Sequence, residues 1–591
     1  MGRIKALKKN FKPKPNHGPQ SQARPEVVDP SREITYYYAA DVEKLLNDPN
    51  VVEIKIVEGS IEDPKNPSSF LTSEDEKFLV GVTKKDGLKV KEEWSDELVV
   101  GVRDSKNKKR NRPGLRIRSL DHFNDEKDLL HSRTESDEKD KFEPVLKKMQ
   151  ANILWHHQKK FAIYSFLNFE ENKRSEVVQW LANLKLTSAF DQMNKRDEID
   201  IIRCAYLTYK GYEFLNIPSN LIPECGISIF KAGPEERTVY NDRRQFRDKR
   251  YDAKPHLVLL EAFDDDSISF DEKINEFKIS VSGFVDLSKS FFETAFLNFK
   301  ELKVTQDWFG FREGMGNPKF FSSKLDKMHI RYKEPIPGNA PMHIVLKEDL
   351  NGGERNCYGS FLVFLKLQQE TENFKILCDE LAGKMGISAE EAAGLLIGRN
   401  KDGDPLVRKK IPERASKQSI EGVTGSEDPL NPENEQPEGD PDANFLNYFD
   451  YLNDNEGREC PFHAHIRKAN PRKQGFEESN IVRRSMSYEE RYKNEFNNEI
   501  EVERKGMFFM AFMRNIEEQF ERLVNNRMYG FDELGPNDAH DPLIMDENYQ
   551  DRPYYNKNGE KIIFSKARKL VTYRGGIYLF APSLPFFKNL D

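Results

Sequence analysis

The chain has 591 residues, 37% of them hydrophobic and 32% charged, so it is long enough for two or three folded units beneath a heavily charged surface. A net charge of -8, from 92 basic and 100 acidic residues, argues against a general nucleic-acid binder, which needs a basic face to neutralise phosphates. Five scattered cysteines without a CxxC pair argue against a disulfide framework and favour a reducing compartment.

The first 30 residues are basic and rich in Pro and Asn, and read as a solvated tail. They lack the apolar stretch of a secretory leader, and no run of about eighteen apolar residues occurs, so a cytoplasmic protein with no membrane span is expected. Val51–Val57 alternates as a half-buried strand does, and residues 101–145 are so charged that they read as a linker. Residues 1–145 are therefore treated as an N-terminal extension of unassigned role.

Strands are expected at Phe161–Phe166, Cys204–Tyr209 and His256–Leu260, with a helix over Glu176–Leu184 carrying Trp180 and Leu181 on its apolar face. A second block, from about residue 341, opens with a strand at Gly359–Leu365 and a helix through Phe374 and Leu377. It continues with a strand-to-helix unit over Met507–Phe520. Short strands alternating with helices suit an α+β sheet, and the similar content of the blocks 146–340 and 341–591 makes an internal duplication plausible. Residues 413–443 are rich in Glu, Asp, Pro and Gly and read as an exposed insertion. The 41 phenylalanines, against four tryptophans, suit either ordinary packing or a large site walled by flat rings.

The densest chemistry lies in Cys460–Arg472, CPFHAHIRKANPR. Cys460, His463 and His465 could bind zinc, but a structural zinc site draws on a second ligand pair that is not nearby. A basic turn around a buried histidine is the plainest reading. A single imidazole on haem iron, with Arg and Lys beside the propionates, is the third. The tandem His156–His157 reads as a surface or strand pair, and Trp308 as a packing residue with electron relay as the alternative.

This thirteen-residue segment resembles the haem-ligand motif of the dye-decolorising peroxidase family, and the resemblance gives the ligand role to His465. Gly310–Pro318, GFREGMGNP, resembles the family's distal motif, and Ile481–Tyr488, IVRRSMSY, the segment that supplies its distal arginine. Weaker echoes follow in family order at 150–154, 358–361, 397–399, 541–544 and 574–583. The resemblance implies two ferredoxin-like halves forming a barrel-like dimeric α+β unit around haem b, with the first half over 146–340 and the second over 341–591. It further implies a peroxidase that reduces hydrogen peroxide and oxidises organic donors, dye-like or phenolic, through a ferryl intermediate. A haem-binding or sensing protein on the same fold is the alternative, and a homo-oligomer is compatible with either.

By the same resemblance His465 is the iron ligand, Arg467 and Arg472 neighbour the propionates, and Asp541 is the partner of the histidine's other nitrogen. Glu313 and Arg483 are the distal acid–base and cation, with Arg484 as the fallback. Glu313 departs from the family's aspartate. One added methylene moves the carboxylate by roughly 1 to 1.5 Å, and about 1 Å of misplacement can cost around a hundredfold in rate. Sluggish peroxide activation is expected unless the loop compensates. Ser485 and Ser487 also depart from the family's Asn and Pro.

Overall fold

The computed structural model describes residues 34–39, 51–56, 60–63, 66–72, 78–84, 139–225, 229–236, 248–267, 269–300, 304–318, 320, 340–407, 449–472, 479–493, 500–528, 539–544, 552–556, 558, 560–564 and 568–590. The basic tail and the insertion at 413–443 lie outside the described residues. The chain divides into two units, Met1–Leu130 and His131–Asp591.

In the first unit, β1 (Ile34–Ala39) and β2 (Val51–Ile56) flank β5 (Phe78–Lys84) in an antiparallel sheet, while β3 (Ser60–Asp63) and β4 (Asn66–Thr72) form a hairpin. The alternating run from Val51 becomes β2, as its period of two requires.

The second unit begins with a helix at Lys139–Leu146 that buries Phe142, Val145 and Leu146. Its first half then runs β6 (Phe161–Leu167), α1 (Arg174–Asn183), β7 (Ile201–Leu207), β8 (Leu257–Phe263), α2 (Phe270–Val281) and β9 (Phe291–Phe296). These strands pair antiparallel in the order β9-β6-β8-β7. A Ser269–Glu272 capping box starts α2, satisfying backbone donors that the first turn would otherwise leave open. The short pairs β10 (Phe299–Lys300) with β11 (Val304–Thr305), and β12 (Lys347–Glu348) with β13 (Tyr358–Gln369), lead into the second half.

After β13 come α3 (Thr371–Met385), α4 (Ala389–Ile397), α5 (His465–Ala469), β14 (Val482–Arg483), β15 (Met486–Lys493) and β16 (Ile500–Met513). Two π-wound helical stretches, Ile516–Glu521 and Leu523–Met528, follow; then β17 (Arg552–Tyr555), β18 (Lys561–Phe564) and β19 (Val571–Ala581). The long strands pair in the order β19-β13-β16-β15. Numbered within its own half, each sheet therefore reads 4-1-3-2. That shared order in two βαββαβ halves is the ferredoxin-like arrangement twice over.

The two sheets meet at both edges, through Phe580 opposite Leu207 and Ser487 opposite Phe296, so eight strands close into a barrel. Closure removes the exposed sheet edges. The core is aromatic: Tyr164 packs edge-on against Phe364 and Phe508, Phe166 stacks on Phe291 at 4.4 Å, and Tyr488 stacks on Phe508 at 4.7 Å. Much of the phenylalanine excess serves this packing.

Within that core sits a charged knot. Lys366 of β13, 1% exposed, places its Nζ 2.8 Å from Glu293, 2.5 Å from Glu490 and 3.3 Å from Asp248. Arg250 closes the same carboxylates at 2.6 Å (Asp248) and 2.9 Å (Glu293). Removing one member of a buried network strands its partners, at a cost of about 3–5 kcal/mol. Lys366→Met is therefore expected to lower the unfolding free energy from denaturant titration by that order, whereas exposed Lys231→Met, at the pair with Glu213, is expected to change it little.

Candidate active site

His465 is the first residue of α5, placed there by a braced loop. Asp454 accepts backbone N–H bonds from Arg458, Glu459 and Cys460 at 2.8 to 3.0 Å. Arg467 donates to Asp454 Oδ2 and the Cys460 carbonyl, both at 2.6 Å, and to the Asp454 carbonyl at 2.7 Å, with its guanidinium between the rings of Tyr451 and Phe462. Gly398, which ends α4, packs against the next residue of the helix. Its φ of +97° suits glycine, and a Cβ there would come within 2.5 Å of Ile466 Cγ1.

Loop and helix together aim the imidazole at Asp541, whose Oδ2 lies 2.7 Å from His465 Nδ1. Asp541 is fully buried; its Oδ1 accepts the Leu543 N–H at 2.9 Å, and its own N–H donates to the carbonyl of Met528, where the π-wound run ends. A carboxylate accepting Nδ1–H fixes the tautomer and leaves a lone pair on Nε2. The His465 side chain keeps 27% of its surface exposed, so this nitrogen belongs to a ring that is not sealed in the core.

Glu313 sits on a hairpin closed by its N–H to the Thr305 carbonyl, 2.9 Å. Burial, then the charge of Asp307, pushes its carboxyl up to about 8, while Arg483 pulls the other way. Arg483 lies in β14, its N–H bonded to Asn317 Oδ1 at 2.9 Å and its guanidinium donating to the Met315 carbonyl. Glu313 and Arg483 are both half-buried. Arg484, the neighbouring residue, points the other way. It donates to the carbonyls of Asn152, Ile153 and Arg483 at 2.7 to 2.8 Å, and burial pulls it down to about 9. Successive strand residues face opposite sides, so only one of the two arginines can meet Glu313.

Arg399, directly after Gly398, is pulled down to about 10 by burial and then by the charges of Arg472 and Arg483. Arg472 lies 3.8 Å over the Phe449 ring and is also lowered, mainly by burial. Arg399 thus lies near enough to two further guanidiniums to feel their charge.

The structure brings Glu313 beside Arg483 and His465 beside Asp541. It sets Arg472 with Arg399 and commits Arg467 to Asp454. His463 is buried, accepting the Tyr555 N–H at 3.4 Å and packing edge-on against Tyr554; Cys460 is buried and its thiol pushed up to about 12. Trp308 donates to the Gly506 carbonyl at 3.0 Å. The tandem histidines are not a surface pair: His157 is fully buried and its ring lies tilted against that of His156 with centroids 4.3 Å apart, near Arg484. Asp307, Arg399 and Asp454 are site and support residues that motif reading missed. Only Arg399 carried a signal, in the Ile397–Arg399 echo.

A doubled ferredoxin-like barrel carrying a carboxylate-oriented histidine and a carboxyl–guanidinium pair defines a particular class of protein. Residues 384–544 match the family described as Dyp-type peroxidase, C-terminal. The multifunctional dye peroxidase DyP2 of Amycolatopsis sp. is 29% identical over 310 residues, which cover 48% of this chain and 60% of that protein. A dye-decolorizing peroxidase of Mycetinis scorodonius is 28% identical over 316 residues, covering 48% and 56%. The matched segment thus spans less than two thirds of either relative. The crystal structure of a DyP-type peroxidase from Anabaena sp. superposes with a TM-score of 0.64 at 26% identity, covering 79% of this chain and 99% of that one. The chain is thus similar to the dye-decolorising (DyP-type) peroxidase family, in sequence over residues 384–544 and in fold over most of its length.

Members of this family are haem enzymes, and the residues present fit haem. His465 offers an Nε2 lone pair set by Asp541, and Arg399, under the charges of Arg472 and Arg483, stands in a cationic setting that an anionic cofactor would relieve. Support of a ligating histidine by its carboxylate is worth about 10–100-fold in metal affinity or activity. Asp541→Asn is expected to weaken haem binding by that factor, measured by haem transfer to an acceptor protein.

Proposed function

We propose that this chain is a cytoplasmic haem peroxidase that takes haem b on His465 and uses hydrogen peroxide to oxidise an organic donor, dye-like or phenolic. The overall reaction consumes one peroxide and two one-electron donors and releases two waters. The reading is carried by Glu313 facing Arg483: a carboxyl whose proton is exchangeable near neutrality, set against a guanidinium that stays charged. All five cysteines are free and buried, which suits a reducing compartment, and no helix among the described residues is long and apolar enough to cross a membrane.

Bound through His465 Nε2, haem supplies the redox chemistry that links peroxide reduction to donor oxidation. Glu313, in its ionised form, takes the proton from one peroxide oxygen and returns it to the other, which leaves as water. Arg483 stabilises the negative charge that grows on the departing oxygen. Asp541 accepts Nδ1–H and so keeps His465 aligned and electron-rich as a ligand. Arg399 and Arg472 are assigned to the propionates. Arg467, already bonded to Asp454 and the Cys460 carbonyl, is assigned to bracing the ligand loop instead.

The test is rapid mixing of the haem-loaded protein with one equivalent of peroxide, followed by absorption. Wild type is expected to change spectrum within seconds and return on adding a phenolic donor. Glu313→Gln and Arg483→Ala are each expected to slow the first change at least about 100-fold while retaining haem. An unchanged or slowly bleaching wild-type spectrum would refute the peroxidase reading.

A further inference from the structure

Glu313 has a second carboxylate for a neighbour, and the hairpin explains why. The Glu313 N–H bonds to the Thr305 carbonyl at 2.9 Å, Gln306 bridges Arg312, and the Asp307 N–H bonds to the Phe311 carbonyl at 2.9 Å. This register pairs 305 with 313, 306 with 312 and 307 with 311. Alternation then puts Asp307 and Glu313 on one face as diagonal neighbours, within reach of each other's side chains, and Arg312 on the opposite face. Arg312 is drawn away to the Asp402 carbonyl.

Asp307 also builds the hairpin. Its Oδ1 accepts the Phe311 N–H at 2.8 Å and its carbonyl accepts the Gly310 N–H at 3.0 Å, closing the turn. Its Oδ2 faces the amide of Gln369 at 3.4 Å, and Gln369 Oε1 accepts the Trp308 N–H at 3.3 Å. Gln369 is the last residue of β13, so the hairpin tip is tied to the barrel. An amide donor holds a carboxylate without neutralising it, and Asp307 therefore presents its charge to Glu313.

We propose that Asp307 is a positioning residue for peroxide activation: one oxygen shapes the hairpin that carries Glu313, and its negative charge, on the same face, sets the charge state of Glu313. The catalytic consequence rests on the peroxidase reading; the coupling of the two carboxylates does not. Arg483 of β14 is the cation that acts on Glu313; on the hairpin tip itself Lys401 passes Gly310 and the Lys505 ammonium lies 5.1 Å over the Trp308 ring. Two like charges on one site separate their proton affinities, and the better-bonded group ionises first. Here Asp307, with several N–H donors, is pushed up only to about 6, whereas Glu313 reaches about 8.

The experiment is an infrared pH titration of the full-length protein, with the protonated carboxyl band of Glu313 assigned by its loss in Glu313→Gln. Asp307→Asn keeps an acceptor for the Phe311 N–H and removes the charge, so the midpoint of that band is expected to fall by about one pH unit. The acid limb of kcat/KM for peroxide is expected to move the same way. Asp307→Glu restores the charge and is expected to return the midpoint toward wild type. An unmoved midpoint in Asp307→Asn would overturn the proposal, as would an equal fall in both variants, which would trace the change to hairpin disruption. A midpoint that falls only in Asp307→Asn, in a wild-type background without peroxide turnover, would support the carboxylate coupling and overturn the peroxidase reading.

Discussion

A buried carboxylate 2.7 Å from one nitrogen of His465 decides what the other nitrogen can do. A free imidazole exchanges tautomers and rotates; one that donates Nδ1–H to a fixed acceptor presents a single lone pair in a single direction. Asp541 can serve because it is fixed in turn, by the Leu543 N–H and by the carbonyl of Met528. On the other side, Gly398 lets α4 approach Ile466, and Arg467 and Asp454 hold the preceding loop in shape. The geometry of the His465 imidazole is thus distributed over four segments from Gly398 to Asp541, none of which could provide it alone.

The barrel gives those segments something rigid to hang from. Both halves follow the 4-1-3-2 order, yet the chemistry is lopsided: α4, α5, β14 and the turn at Asp541 all belong to the second half. β16 is central to this. It pairs with β13 inside the barrel and, at Phe512 and Ala511, with β14, whose Arg483 lies near enough to Glu313 for its charge to act on the carboxyl. Glu313 itself arrives from the connection between the halves, on a hairpin docked against the end of β13. Joining the halves therefore does more than close the sheet, since it brings the carboxyl and the guanidinium together.

Much of this was legible in the chain. Runs such as Phe161–Phe166 and Gly359–Leu365 announced β6 and β13 because a strand buried along both faces is continuously apolar. Boundaries were less readable: Tyr209 looked like strand, but Thr208 accepts the Gly211 N–H and starts a helix. β19 was not assigned from the sequence, where 574–583 stood only as a family echo and Gly575 and Gly576 interrupt the strand pattern. In the barrel they permit close approach, since a Cβ on Gly576 would meet the Phe364 carbonyl at 2.8 Å. The His465 segment stood out because two histidines, the loop prolines and the arginines are contiguous. Asp307 did not, because its importance comes from hairpin register and not from a motif. Nor could spacing reveal that Arg467 is bound to Asp454, thirteen residues earlier, or that Arg484 turns into the barrel.

The most direct measurement is a haemin titration of the full-length protein and its His465→Ala variant, followed by absorption with and without added imidazole. One histidine-ligated haem per chain is expected in wild type, with loss of that spectrum in His465→Ala and its restoration when imidazole fills the vacated space. A His465→Ala variant that keeps the wild-type haem spectrum without imidazole would contradict the ligand role of His465.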